Sequence, residues 1–326
     1  MLSRVADSLY WMNRYVERAE NVARFLDVNY NLTLGEGGGL GHQWSPLVNT
    51  TGDHERFIEL YGESNRANVV QFLAFDDRNP NSIISCITSA RENARSVRET
   101  ITTDMWEQVN KFYLLVRAAA RAHKSGDNAN AFCLAVKLAS HTLVGITYTT
   151  MSHGEAWHFL RMGRLIERAD KTSRIVDVQY YLLLPTLDDV GGSLDVVRWS
   201  ALLRSTSALT MYRRVHGQIR PERVAEFLIL DRDFPRAMRF CVLGAQNSLQ
   251  HITGTAAGTF RRRSEQLLGR FRAVLDYTSI ADVIQRGMHE YIDDFQTKLN
   301  EIDDAIQTDF FKQGGMNESG QRQSQI

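Results

Sequence analysis

Apolar residues recur at three- and four-residue spacing along most of the chain, as in "MWEQVNKFYLLVRAAARAH" (105–123) and "AFCLAVKLASHTLVGITYTTM" (131–151). That is the period of a helix with a buried face, and the strict alternation of a strand is scarce. Only five prolines occur, so little interrupts the periodic segments. The pattern predicts an all-α protein, a large bundle of about ten to twelve helices. Three breaks punctuate it: "GEGGGLGHQWSP" (35–46), "KSGDNAN" (124–130) and "LPTLDDVGGS" (184–193), each rich in Gly, Asp or Asn. The polar, Gly-rich end of the chain (311–326) is expected to be disordered.

One charged word is written twice. "RYVERAENVARFLDVNY" (14–30) and "RLIERADKTSRIVDVQY" (164–180) agree at Arg14/Arg164, Glu17/Glu167, Arg18/Arg168, Ala19/Ala169, Arg24/Arg174, Asp27/Asp177, Val28/Val178 and Tyr30/Tyr180. A second pair follows in the same order. "VVQFLAFDDRNPNSIISCI" (69–87) matches "VAEFLILDRDFPRAMRFCV" (224–242) at an offset of 155, including Pro80/Pro235 and Cys86/Cys241. Two ordered matches predict an internal repeat with units at 1–151 and 152–310. The prolines fall near helix starts, and the paired cysteines read as small core residues.

On a helix, Met12, Tyr15, Val16, Ala19, Val22, Ala23, Leu26 and Tyr30 form one apolar stripe. Met162, Leu165, Ile166, Ala169, Val176 and Tyr180 repeat it. Arg14, Glu17, Arg18, Asn21 and Arg24 occupy the other side, within an arc of about 120°. Their spacings suit helix ion pairs, so a solvated salt-bridged face is one reading. The choice of Arg over Lys in both copies argues for another. A planar, weakly hydrated guanidinium matters where a pair is buried or an anion is gripped. Arg14, Glu17, Arg18, Arg24, Arg164, Glu167, Arg168 and Arg174 are therefore the candidates for a buried network or a ligand cleft, with the network favoured.

Composition narrows the partners. The chain has 38 basic and 38 acidic residues, so it lacks the basic excess of a phosphate-backbone binder. Three cysteines without a CxxC pair make a poor disulfide framework. The N-terminal stretch carries charges throughout and does not read as a signal peptide. No uninterrupted apolar run approaches the ~18 residues of a membrane span, so no membrane association and a cytoplasmic location are expected.

"MLSRVADSLYWMNRYVERAENVARFLDV" and "WHFLRMGRLIERADKTSRIVDV" resemble the paired signatures of the alpha-E family, a bacterial helical domain named for its Glu-Arg motif. The resemblance runs from residue 1 to about 310. Asn13 stands where Gly usually precedes this Arg, whereas Gly163 keeps it. Asp170 is one methylene shorter than Glu20. The resemblance implies neighbours: circularly permuted ATP-grasp ligases and transglutaminase-like cysteine proteases. It thus implies a helper in peptide or amide-bond formation more than a catalyst.

The residues offer little chemistry of their own. No P-loop, GxSxG, HExxH or dinucleotide fingerprint is present. "EAWH" gives Glu155 and His158 the ExxH spacing, but di-iron bundles need two such motifs, and Ser8 stands at the matching place. No metal and no cofactor are expected; Trp157 and Phe159 read as packing, with His158 at a surface or interface. "RRRSEQ" (261–266) is a basic cluster for which Glu265, Asp276 and the overall neutrality favour a solvated helix face. Three readings follow: a non-catalytic module docking an ATP-grasp ligase, an enzyme subunit of amide-bond chemistry with an Arg/Glu cleft, and a polyphosphate or nucleic-acid binder using Arg261–Arg263. The first is favoured.

Overall fold

The computed structural model describes residues 1–35, 44–123, 129–183 and 193–312. In chain order the helices are α1 (Ser3–Gly35), α2 (Ser45–Thr51), α3 (His54–Tyr61), α4 (Arg66–Val70), α5 (Ile83–Ser96), α6 (Thr103–His123), α7 (Ala129–Thr150) and α8 (Glu155–Leu183). They continue as α9 (Ser193–Ser205), α10 (Leu209–His216), α11 (Pro221–Leu230), α12 (Met238–Thr253), α13 (Arg263–Tyr277), α14 (Ile280–Arg286) and α15 (Met288–Ile306). Short π-helical turns close α4 (Gln71–Phe75) and α15 (Gln307–Phe311). The all-α class is as expected, and no strand occurs among the described residues. The fifteen helices among the described residues exceed the ten to twelve expected, because α2, α3, α4, α10 and α14 are too short for the apolar period to register.

Local chemistry places the boundaries. Ser82 caps α5 by accepting from Ser85 N, Pro221 opens α11, and Ser279 with Asp282 forms a capping box on α14. Ser45 and Pro46, expected within a loop, instead begin α2, and the residue before them, Trp44, is buried. The remainder of that loop, 124–128, 184–192 and most of the expected tail lie outside the described residues. Phe310 and Phe311, at the expected tail boundary, pack on Phe159, and Phe311 also on Tyr10.

The centre of the fold is the pair α1 and α8. Residues that meet across it rise together in number: the Met1 amino group donates to Glu155, Tyr10 abuts Gly163, and Glu17 meets Arg168. The two helices therefore run in the same direction. α5 and α7 flank α1, α12 and α15 flank α8, α6 packs on α5 and α7, and α13 packs on α12 and α15. The starts of α3, α4 and α5 recur 155 positions later as the starts of α10, α11 and α12. Both sides of α1 are covered, so its polar arc is not a wet face. Glu17, Glu20 and Asn21 are as buried as Leu9 and Met12.

α7 is apolar in composition although it holds no long uninterrupted apolar run. Its stretch Asn130–Thr150 is long and apolar enough to cross a membrane by length and composition, with Lys137 its only charge. The apolar-run criterion missed it because polar residues are interspersed. About a third of that stretch is buried, and Leu134, Leu138 and Tyr148 are exposed.

Candidate functional site

The two charged words meet each other where α1 crosses α8. Arg18 grips Glu167 with both prongs, Nε to Oε1 at 2.7 Å and Nη2 to Oε2 at 3.0 Å. Arg168 grips Glu17 in the same way, at 2.9 and 2.7 Å. The reciprocity follows from the dipeptide. The same Glu-Arg step stands on each of the two parallel helices, so each acid meets the other helix's base. Paired forks of this kind are the strong form of charged hydrogen bond. Two further Glu-Arg dipeptides, Glu55-Arg56 and Glu222-Arg223, lie exposed on short helices. The dipeptide alone therefore does not make the site.

Around this exchange the acids gather more cations. Arg14 Nε donates to Glu167 at 3.0 Å, and its Nη1 lies 2.6 Å from Asp303. Lys171 reaches Asp170 at 2.9 Å, and Arg174 holds the same carboxylate at 3.0 Å. On the other side Arg236 bonds Glu17, Asn21 and Glu20, while Arg24 bonds Glu20 at 2.7 Å. Ser140 donates to the second Glu20 oxygen at 2.6 Å, and His141 stands 3.2 Å from the first. Burial alone would raise the Glu167 carboxyl, but Arg18, Lys171 and Arg14 overcome it and hold it well below the usual carboxylate range. Glu17 is likewise pushed up by burial and drawn lower overall by Arg168 and Arg236.

Of the eight candidates, seven are thus engaged in the network. Arg164 is near it but makes no hydrogen bond or ion pair among the described residues. The sequence reading did not include Arg236, Ser140, Asn81, Lys171 or Asp303. Arg236 carried a signal: it follows the matched Pro235 where Asn81 follows Pro80. Asn81 accepts from Arg18 at 2.7 Å. Arg236 therefore supplies a cation to the Glu17/Glu20 side, and Lys171, at the position matching Asn21, supplies one to the Glu167/Asp170 side.

The sequence profile of a family described as "a predicted alpha-helical domain with a conserved ER motif" matches residues 1–311. The chain belongs to the Alpha-E family. In this Alpha-E chain, Glu17-Arg18 and Glu167-Arg168 are the dipeptides that exchange partners. Uncharacterised proteins of Mycobacterium bovis and Mycobacterium tuberculosis are 22% identical to it over 338 residues, covering 96% of this chain. The chain spans 37% of the length of these relatives. No solved structure matches it.

The other sequence candidates are placed elsewhere. Among the described residues no group of three or more His, Cys, Asp or Glu is arranged to hold a metal ion. Trp157 and Phe159 are buried as expected, but so is His158, which stacks on His251 with ring centroids 4.3 Å apart. Of the two places expected for His158, surface or interface, the structure has it buried between α8 and α12. Glu265 is also buried rather than solvated: it accepts from the backbone N–H groups of Arg261 and Arg262 at the start of α13. Arg262 lies over Phe310 and donates to Asp309 O.

Burial, with His251, Arg161 and His153 nearby, pulls His158 down to about 4. Its folded value lies below its unfolded one, so the unfolded chain binds the extra proton first. Stability should therefore fall as pH drops from about 6.5 to about 4, and His158→Gln should flatten that slope. The buried carboxylates act in a lower window, losing their contribution as pH falls below about 4.5. Urea unfolding at a series of pH values separates the two. An unchanged slope between pH 6.5 and 4.5 in His158→Gln would remove the histidine assignment.

Proposed function

We propose that this chain is a non-catalytic helical module that docks an ATP-grasp ligase of peptide or amide-bond formation, in the cytoplasm. One observation carries the reading. The Arg and Glu side chains that looked most like a reaction cleft bind each other, and the acids lie beneath packed helices rather than at an opening. An acid held by two or three cations and stripped of water is a poor general base, because its proton affinity is suppressed. The network instead locks α1 to α8 and fixes the surfaces around them.

Three further points support docking. The family resemblance implies ATP-grasp and transglutaminase-like neighbours. The mycobacterial relatives extend well beyond the matched portion, so in them this domain is joined to further sequence. The exposed apolar face of α7 offers Leu134, Leu138 and Tyr148 to a partner. We read the two halves, with their recurring helix starts, as copies of one unit. An enzyme-subunit reading would need free acids at the α1–α8 crossing. A polyphosphate or nucleic-acid reading would need the Arg261–Arg263 cluster free, yet Arg262 is tied to Phe310 and Asp309.

The test is to purify the chain alone and with its neighbouring ligase, then measure complex formation and ATP turnover. The expected result is a complex at micromolar concentrations and ATP turnover only when the ligase is present. Robust ATP hydrolysis or peptide chemistry by the isolated chain would sink the proposal.

A further inference from the structure

Arg14 and Arg164 occupy matching places in the two charged words, yet their surroundings differ. Arg14 is clamped by Glu167 and Asp303 and lies over the Trp11 ring, 4.6 Å from its centroid. Arg164 has no such partner. Its Nε is fully covered and bonds nothing among the described residues, while the side chain as a whole stays partly open to solvent. Asp303 on α15 serves Arg14, and no described acid plays that part for Arg164.

The neighbours make the imbalance larger. Arg161 and Arg168 lie three residues before and four after Arg164, so all three share one side of α8. Arg161 donates to Gly244 O at 2.7 Å and to Ser248 Oγ at 2.9 Å, and touches no acid. The carboxylates that act on Arg164 are Glu17 and Glu20. Both are already engaged, by Arg168, Arg236 and Arg24. Among the described residues, Arg24, Arg161, Arg164, Arg168 and Arg236 on this side of the crossing face the acids Glu17 and Glu20. On the other side Arg14, Arg18, Lys171 and Arg174 face Glu167, Asp170 and Asp303. Burial, with Arg168 and Arg161 adding to it, pulls Arg164 down to about 10 against the attraction of Glu17.

A covered Nε–H without an acceptor is unfavourable in the unliganded fold, and an anion arriving at the open part of the guanidinium could draw it into a bond. We propose that Arg164, with Arg161 beside it, receives an oxyanion, a carboxylate or phosphoryl group carried by a ligand. The planar fork of Arg suits both groups, and the excess of cations attracts them. The inference goes beyond the docking reading, and its test uses the purified chain alone, so either can fail without the other.

Arginine 15Nε–H spectra read the site directly, with the Arg164 signal assigned by its loss in Arg164→Gln. The probes are inorganic phosphate, an N-acetyl dipeptide with a free carboxylate and the same dipeptide as its amide, at constant ionic strength in chloride. The Arg164 signal should shift saturably with phosphate or with the free carboxylate, and not with the amide. The probe that acts identifies the chemistry. The same probe should raise the thermal midpoint of the wild type by mass action and leave that of Arg164→Gln unmoved. Arg164→Lys keeps the charge but loses the fork, and should bind at least about tenfold more weakly. Arg164→Gln itself should unfold no earlier than the wild type, whereas Arg14→Gln should unfold earlier. Absence of any shift at roughly tens of millimolar probe would overturn the proposal. So would an Arg164→Gln protein that fails to fold or melts as early as Arg14→Gln, because Arg164 would then be structural.

Discussion

Glu167→Gln should lower the free energy of unfolding by about 3–5 kcal/mol, the usual cost of breaking a buried ion pair from one side. The carboxylate is fully buried and receives Arg14 and Arg18, with Lys171 3.6 Å away. Gln keeps the shape but removes the charge, leaving three cations in a place from which water is largely excluded. Urea unfolding measures the loss as a lower midpoint with an unchanged slope. The exposed Arg95–Glu92 pair on α5 provides a reference, since removing it should cost no more than about 0.5 kcal/mol. A double-mutant cycle of Arg18→Ala with Glu167→Gln should show coupling of about 0.5–3 kcal/mol. A Glu167→Gln protein within about 1 kcal/mol of the wild type would mean that the reciprocal exchange does not hold the helices together.

Gly163→Ala should be strongly damaging for a single-methyl addition, costing about 1–3 kcal/mol or more. α1 comes so close to α8 here that a Cβ would fall inside contact distance of the Tyr10 carbonyl oxygen and 3.1 Å from its carbonyl carbon. Backbone cannot swing aside as the end of a side chain can. The matching position on α1 is Asn13, which uses its amide to donate to Leu160 O at 3.1 Å. The crossing thus pairs a residue with no side chain on one helix with a hydrogen-bonding one on the other. Gly145→Ala in α7 is the control: nothing lies within 4 Å of its Cβ, and a helical Ala should stabilise by up to about 1 kcal/mol. Equal thermal midpoints for the two variants would contradict the close approach.

The helical class was legible because its signal is local: the apolar period is written within each segment and needs no partner to be read. The eight charged candidates were legible for a related reason. A word repeated with Arg kept as Arg points to geometry that Lys would not satisfy, and seven of the eight do lie in the network. The buried cysteines Cys86 and Cys241 followed from the same repetition.

What the sequence could not decide was who meets whom. Glu17 lies 151 residues from the Arg168 that neutralises it, and Arg236 lies 219 residues from Glu17. No spacing rule spans such distances, because helix packing rather than chain order brings these groups together. The same limit concealed the burial of His158 under α12 and the start of α2 at Ser45. It also made Arg14 and Arg164 look equivalent, since the two words match at that letter. Their difference lies in Asp303, a residue outside both words, carried to Arg14 by α15. By itself the sequence determined the helices and which side chains were worth following. Only the tertiary structure decided that the acids and bases pair across α1 and α8, and that Arg164 stands apart. An ion pair is fixed by distance in space and by the exclusion of water, and packing alone sets both.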